Sequence, residues 1–249
     1  MPCRIRELLR SAVYYISVPK CTACRKPLGK SGLPLCESCL IEYRATLNRG
    51  CSVCGELLSH CSCAGEYLKE NRIKGHIKLF RYDNREENRA ANSLIYSAKR
   101  TGREDVITFI SSELTQAVRH SFDNTDGLVI TSVPRSKRSL VKYGFDHAEG
   151  LAKRVADELS AEYIPLLCSN AKGEQKKMDR EARLKNARFD LISTPDLTGK
   201  TVIIIDDIVT TGASMVSAAR EVRKLGRRIT VYSASVSMAY RDEFDYVYF

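Results

Sequence analysis

The pattern of apolar and polar positions divides the chain into a cysteine-rich first quarter and a longer part with alternating strands and helices. From residue 77 onward, short apolar runs alternate with segments whose apolar residues recur at helical spacing. The clearest runs, at residues 127–133 and 201–205, are almost uninterrupted and rich in β-branched residues. Such runs are typical of parallel strands that are covered on both faces. The sequence therefore predicts an α/β fold, with a parallel sheet flanked by helices.

The same periodicity gives the expected positions of the other elements. Strands are expected at residues 77–82, at the sheet edge, and at 163–166 and 229–236. Helices are expected from Asn84 to a stop at Gly102, from Asp105 to His120, and across residues 148–159. A further amphipathic helix is expected at residues 4–16, ahead of the cysteines.

Eight of the ten cysteines fall in four closely spaced pairs between residues 21 and 63. A CxxC pair places two thiolates on one side of a tight turn, and two pairs complete a tetrahedral zinc site. The region has too few large apolar residues to fold unaided, so metal has to substitute for a core. We expect two structural zinc ions, held by Cys21, Cys24, Cys36, Cys39, Cys51, Cys54, Cys61 and Cys63.

Some features of these sites stay open at the level of sequence. Joining the first pair with the second, and the third with the fourth, is the simplest arrangement, but interleaved pairing is also compatible with the spacing. His60 adjoins Cys61 and could replace a thiolate. A disulfide framework is the alternative to metal, and a reducing compartment disfavours it.

Composition and charge narrow the class of protein. With 249 residues, 43% hydrophobic and 28% charged, the chain is long enough for one α/β domain and a small module. A formal net charge of +10 favours phosphate-rich partners. Eight thiolates around two zinc ions would reduce it to about +6, so charge alone is weak evidence for nucleic acid binding. No signal peptide or long apolar span is visible, and we expect a cytoplasmic protein without a membrane span.

An acidic pair and a hydroxyl-rich turn follow the apolar run at residues 201–205. This order of strand, acids, turn and helix places the turn at the carboxyl edge of the sheet, where open α/β folds bind ligands. The free N–H groups at the start of the next helix and the side-chain hydroxyls suit a phosphate, and glycine lets the backbone approach it. The residues concerned are Asp206, Asp207, Thr210, Thr211, Gly212, Ala213 and Ser214.

The two carboxylates need a different partner, because they repel a phosphate. A sugar phosphate resolves the conflict, since Asp206 and Asp207 can hold its hydroxyls or a divalent cation. The simpler alternative is that both acids only end the strand and cap the next helix. A P-loop is excluded, because the chain contains no Gly-x4-Gly-Lys-Ser/Thr motif.

The stretch Val-Ile-Ile-Ile-Asp-Asp-Ile-Val-Thr-Thr-Gly-Ala-Ser at residues 202–214 closely resembles the ribose-phosphate loop of type I phosphoribosyltransferases. Together with the cysteines, it makes the whole chain resemble the ComF family, competence-related proteins that join a double zinc ribbon to a phosphoribosyltransferase-like domain. The resemblance implies binding of 5-phosphoribosyl 1-diphosphate with magnesium. Residues 210–214 would hold the 5-phosphate, and Asp206 and Asp207 the ribose hydroxyls. Residues 64–76 look like a linker, so we expect an N-terminal helix and double zinc ribbon at residues 1–64 and a phosphoribosyltransferase-like domain at 77–249.

Two further segments resemble parts of the same family. Arg135, Ser136 and Lys137 follow the strand at 127–133, in the place of the diphosphate-binding loop, and an arginine there can bind bidentately. The basic stretch at residues 172–188 resembles the flexible loop that could close over a diphosphate. Its matching residues are Gln175, Arg183 and Asn186.

The chain also departs from the family pattern. Where the family usually reads Arg-Gly-Phe-Asn-Gln, residues 143–147 read Tyr-Gly-Phe-Asp-His. The change removes one expected phosphate contact and adds the acid Asp146. His147 lies near the site and could titrate usefully, although a position on a helix surface is favoured. Lys99 could reach a substrate phosphate, although a solvated helix end is favoured.

The resemblance therefore implies a ComF-type protein that binds phosphoribosyl diphosphate and acts in DNA uptake and natural transformation. Single-stranded DNA or proteins of the competence machinery would be its further partners. Two alternatives stay open. One is an active phosphoribosyltransferase acting on an unknown base or amine, and the other is a ligand-sensing regulatory protein without turnover.

Overall fold

The computed structural model describes residues 18–29, 32–82, 86–170 and 189–239. Five strands form a sheet in which every neighbouring pair is parallel: β1 (His76–Arg81), β2 (Leu128–Ser132), β3 (Glu162–Tyr163), β6 (Thr201–Val209) and β7 (Thr230–Met238). Their order is β1-β7-β6-β2-β3. Two short strands, β4 (Leu167–Ser169) and β5 (Phe189–Leu191), form a separate antiparallel pair.

Helices cover both faces of the sheet. The described helices are α1 (Glu37–Leu47), α2 (Glu66–Glu70), α3 (Arg89–Thr101), α4 (Glu104–Ser121), α5 (Lys137–Tyr143), α6 (His147–Leu159) and α7 (Ala213–Val222). Along β6, Ile203 and Ile205 join the core that contains α3, α4 and α6, whereas Val202 and Ile204 join the core that contains α7. This alternation follows from the two-residue repeat of a strand. The parallel sheet with flanking helices confirms the predicted fold class.

Most predicted elements lie within a few residues of the observed ones, and one strand was placed wrongly. The helix that stops at Gly102 does so in a left-handed conformation, with φ of 57°, as a glycine C-cap requires. The strand predicted at residues 163–166 is different, because only Glu162–Tyr163 pairs in the main sheet. Pro165 has no N–H to donate to a neighbouring strand, so pairing stops before it.

The cysteine-rich region packs directly on the sheet layer. Leu28, Leu35 and Tyr43 are buried in the same core cluster as β1, α3 and α4. The ring of Tyr43 lies 5.4 Å from that of Phe109, centroid to centroid. A single apolar core therefore continues from this region into the α/β part, and the division of the chain near residues 64–77 stays a prediction.

Several predictions concern segments outside the described residues. These are the helix at 4–16, the helix start at Asn84 and the flexible loop at 172–188 with Gln175, Arg183 and Asn186. The described helix α3 begins at Arg89.

Candidate functional site

Strand β6 extends beyond its neighbour β2, and this opens the carboxyl edge of the sheet. Pairing with β2 ends at Ile205, opposite Ser132, whereas pairing with β7 continues to Val209. The expectation that the strand ends before the acidic pair was wrong, because Asp206 and Asp207 lie within β6. Since β2 has turned away at this level, one edge of β6 is open beside both carboxylates.

A cleft of about 250 Å³ lies at this edge. That is slightly below the range of about 300–1,000 Å³ typical of small-molecule sites. Its lining combines both acids with four cations and several hydroxyls, a mixture suited to a ligand that carries phosphate and hydroxyl groups together. The polar lining residues are Lys99, Arg135, Ser136, Arg138, Ser139, Lys142, Tyr143, His147, Ser169, Asp206, Asp207 and Ser214.

The carboxylate of Asp207 is the meeting point of three distant segments. Lys99 Nζ, at the end of α3, lies 2.5 Å from Asp207 Oδ2. His147 Nε2, at the start of α6, lies 2.6 Å from the same oxygen. The favoured surface positions of both residues were therefore wrong: His147 is only 6% exposed, and Lys99 forms an ion pair instead of extending into solvent.

These contacts separate the proton affinities of the two neighbouring carboxyls. Burial raises the pKa of Asp206 well above its usual value, and the charge of Asp207 raises it further. Burial would also raise the pKa of Asp207, but His147 and Lys99 more than offset this and hold its pKa far below the usual value. Asp207 is therefore the more acidic carboxyl of the cleft, and Asp206 is the carboxyl that binds a proton more readily.

Arg135 and Asp146 hold the shape of the cation-rich loop. The guanidinium of Arg135 donates to the carbonyl oxygens of Phe145, at 3.1 Å, and Lys99, at 3.2 Å. It also lies over the ring of Tyr143, 4.7 Å from the centroid. Asp146 caps α6 by accepting from Ala148 N and, with its other oxygen, accepts from Arg135 N at 2.7 Å. The acid that departs from the family pattern is thus fully engaged in the fold.

The other two residues predicted in this loop occupy different positions. Ser136 lines the cleft and caps α5, its hydroxyl accepting from Ser139 N at 3.3 Å. Lys137 is the first residue of α5 and is not among the cleft-lining residues, whereas Arg138 and Lys142 of the same helix are.

The predicted phosphate loop joins β6 to α7. Thr210 is exposed, Thr211 and Ser214 are half-buried, and Ser214 lines the cleft. Ala213 N donates to the hydroxyl of Thr211 at 3.4 Å. Gly212 has φ of +76°, and a β-carbon there would lie 2.8 Å from Leu68 Cδ2. This glycine is therefore needed for its backbone conformation and for the close packing of α2, which the sequence did not indicate.

The eight paired cysteines form two separate clusters. Cys21, Cys24, Cys36 and Cys39 make the first, and Cys51, Cys54, Cys61 and Cys63 the second. Within each cluster the Sγ atoms lie within 4.8 Å of one another. A tetrahedron with Zn–S bonds of about 2.3 Å has edges of about 3.8 Å, so both clusters could hold zinc. His60 belongs to neither cluster, and its ring stacks on that of His120 with centroids 4.1 Å apart.

Hydrogen bonding lowers the pKa of one thiol in the first cluster. Donation from the Ser38 hydroxyl and the Cys39 backbone lowers the pKa of Cys36 to about 6. A thiolate is the form that binds zinc.

Among the described residues, no helix is both long and apolar enough to cross a membrane.

Comparisons with known proteins find one family model and several similar proteins. Residues 146–240 match the family model described as the phosphoribosyl transferase domain. The chain is 26% identical over 210 residues to Competence protein ComFC of Bacillus subtilis (strain 168), covering 80% of this chain and 82% of that protein. It is 25% identical over 187 residues to Competence protein ComFC of Streptococcus pneumoniae (strain ATCC BAA-255 / R6), covering 73% and 77% respectively. A solved adenine phosphoribosyltransferase from Saccharomyces cerevisiae shares 19% identity over 57% of this chain and 72% of its own, with a TM-score of 0.37.

Proposed function

We propose that this ComF-type protein, with its phosphoribosyltransferase domain and two cysteine clusters, binds 5-phosphoribosyl 1-diphosphate together with magnesium at the carboxyl edge of its sheet. The observation that carries the proposal is the composition of one cleft. Asp206 and Asp207 line it together with Ser214 and the cations of α5. A ligand with hydroxyls in its centre and phosphates at its two ends needs such an arrangement.

Each part of the ligand has a chemically matched set of groups. The 5-phosphate would be held at residues 210–214, where N–H groups at the start of α7 and nearby hydroxyls can donate to it. Asp206 and Asp207 would accept from the ribose hydroxyls. Ser136, Arg138 and Lys142 would face the diphosphate, because they line the same cleft and supply one hydroxyl and two cations to it. Magnesium would neutralise diphosphate oxygens, and the carboxylates supply the oxygen ligands that it prefers.

Arg135 has a different role in this proposal from the one expected of it. Two of its N–H groups are already used by the backbone carbonyls of Lys99, near the end of α3, and of Phe145, just before α6. We infer that Arg135 fixes the backbone near Lys99 and His147, so that both side chains reach Asp207. The diphosphate would then be bound mainly by Ser136, Arg138 and Lys142.

Ligand binding also has to compete with the cation already on Asp207. Lys99 is 31% exposed at its side chain, whereas Asp207 is 11% exposed. The lysine can therefore swing towards solvent or towards a phosphate while the carboxylate stays fixed. A ribose hydroxyl would then take the vacated position on Asp207, and the released ammonium would be free to contact the ligand.

A thermal-shift experiment tests the assignment of the three subsites. Phosphoribosyl diphosphate with magnesium should raise the melting temperature more than ribose 5-phosphate or diphosphate, because a ligand that binds only the folded state stabilises it according to its affinity. Equal shifts of the melting temperature with all three compounds would refute the proposal that the cleft binds both the phosphorylated ribose and the diphosphate of one ligand.

The biological setting that we propose is DNA uptake and natural transformation, since two relatives that match most of the chain are named as competence proteins. In a naturally transformable host, replacing the native relative by D206N/D207N of this chain should lower transformant numbers towards those of the deletion strain. The wild-type chain should restore them. Equal numbers of transformants with the wild-type chain and with D206N/D207N would show that the cleft is not needed for DNA uptake.

A further inference from the structure

Lys78 is a lysine in the middle of β1 whose side chain is almost completely buried. It is 1% exposed and pairs in register with Ser235 of β7. Isolated ammonium groups are very costly to bury, so a buried lysine needs hydrogen bonds and a compensating negative charge. In the part of the chain that the structure describes, no carboxylate lies within ion-pair distance of it.

The contacts of the ammonium lead instead to the second cysteine cluster. Lys78 Nζ lies 3.0 Å from the carbonyl oxygen of Cys63, 3.5 Å from that of Cys61 and 3.4 Å from Cys61 Sγ. The carbonyl oxygen of His76 is 3.3 Å away. Among the described residues, the hydrogen-bond partners of this ammonium are therefore backbone carbonyls and a cysteine sulfur.

Four thiolates around one Zn²⁺ carry a net charge of −2, and this supplies the negative charge that Lys78 lacks. Groups that hydrogen-bond to metal ligands orient them and tune their affinity. We propose that Lys78 is a positioning residue of the second cysteine site: its ammonium donates to Cys61 Sγ, offsets part of the charge of the metal-thiolate centre and fixes that centre against the sheet. The inference assumes zinc in this cluster and does not depend on the ligand proposed for the cleft.

The first cluster provides a comparison within the same chain. Among the described residues, its sulfurs hydrogen-bond to one another and to the Ser38 hydroxyl, and no lysine or arginine side chain donates to them. A loss of the Lys78 charge should therefore change one site and leave the other as it was. This difference separates a role at the metal from a general effect on folding.

The test is the rate of zinc release from the full-length, zinc-loaded protein in excess chelator. Each thiol is trapped with iodoacetamide as it becomes free, and peptide mapping assigns the alkylated cysteines to their cluster. In K78M, the cysteines at residues 51–63 should be labelled about tenfold faster or more, as second-shell substitutions weaken metal sites by about 10–100-fold. Labelling of the cysteines at residues 21–39 should be unchanged.

Two further variants make the result decisive. K74M is the matched control, because Lys74 is exposed and contacts the ring of Tyr232 instead of the cluster, and its labelling should equal that of the wild type. K78R keeps the positive charge, and its rate of zinc release from the second cluster should be within about threefold of the wild-type rate. Wild-type rates in K78M, or equal acceleration of both clusters, would overturn the proposal. So would release from K78R that is as fast as from K78M.

If K78M does not fold, a measurement on the wild-type protein tests the same proposal. With ¹¹³Cd in the cysteine sites, the Lys78 ammonium should give a solvent-protected NMR signal that is coupled to the metal through Cys61 Sγ. A lysine signal that exchanges freely with water would overturn the proposal.

Discussion

Leu68 of α2 occupies the space beside Gly212, with its Cδ2 atom 2.8 Å from where a β-carbon on that glycine would lie. The segment that follows the cysteine clusters thereby packs directly on the loop proposed to bind the 5-phosphate. Gly212 is therefore constrained twice, by its positive φ and by this contact.

The substitution G212A should cost more stability than the left-handed backbone alone explains. G127A is the matched control, since Gly127 has φ of +71° and nothing within 4 Å of the added carbon. We expect G127A to cost about 1–2 kcal/mol from backbone strain. G212A should cost at least about 1 kcal/mol more from overpacking. Urea unfolding of both variants measures the difference.

A double-variant cycle supplies the control for this packing. In the L68A background, G212A should cost only about as much as G127A does, because the truncated side chain leaves room for the new methyl group. Equal losses in G212A and G127A would show that the contact with Leu68 is unimportant.

Substituting asparagine for each carboxyl of the cleft in turn should change stability in opposite directions. The folded-state pKa of Asp206 is raised above its unfolded-state value. At any pH above the unfolded-state pKa, this carboxyl therefore destabilises the folded, ligand-free protein. D206N should raise the free energy of unfolding at neutral pH by about 1 kcal/mol. The pKa of Asp207 is depressed, so its contribution is present above the unfolded-state pKa and is lost in acid. D207N leaves Lys99 and His147 without their partner and should cost about 1–3 kcal/mol. Urea unfolding of both variants at neutral pH measures the sign of each change in the free energy of unfolding. A similar loss of stability in D206N and D207N would contradict this account.

Ligand affinity should rise with pH as Asp206 loses its proton. Its raised pKa means that the empty site retains a proton on Asp206 to a higher pH than an ordinary aspartate, and an ionised carboxylate is the better acceptor for ribose hydroxyls and magnesium. Binding should therefore release a proton, detected by calorimetry in buffers of different ionisation enthalpy. D206N is the control, because the titration of the ligand phosphates persists in it. The same proton release in D206N and the wild type would exclude Asp206 as the source.

Metal analysis of the purified chain should find two zinc ions. Both cysteine clusters have a geometry that fits tetrahedral zinc, and short regions of this kind depend on metal for their folding energy. Strong chelation should also loosen α1, since Tyr43 and Leu47 share the core with cysteines of the first cluster. Zinc-free protein that keeps its fold would contradict a structural role.

The parts of the fold that the sequence predicted are those determined by local pattern. The uninterrupted apolar run of β6 identifies a central strand, because only a strand covered on both faces tolerates it. Three CxxC pairs and one CxC pair within 43 residues identify the cysteine clusters, since a region with so many paired thiols and so few large apolar residues is typical of zinc sites.

The features that the sequence did not predict depend on contacts between distant segments. Lys99 is 108 positions away from Asp207, and no local pattern indicates that they form an ion pair. A helix surface was the favoured position for His147, but the residue lies at the start of α6 and contacts Asp207 in the cleft. Lys78 gave one signal, a cation inside an apolar strand, although its partner became visible only when β1 packed against the second cluster.

The most direct test of the cleft is calorimetric titration of the full-length, zinc-loaded protein with phosphoribosyl diphosphate, with and without magnesium. We predict one site per chain that is markedly tighter with magnesium, lost in D206N/D207N and retained in the zinc-site variant K78R. The absence of binding heat in the wild type, or undiminished affinity in the double variant, would contradict the account.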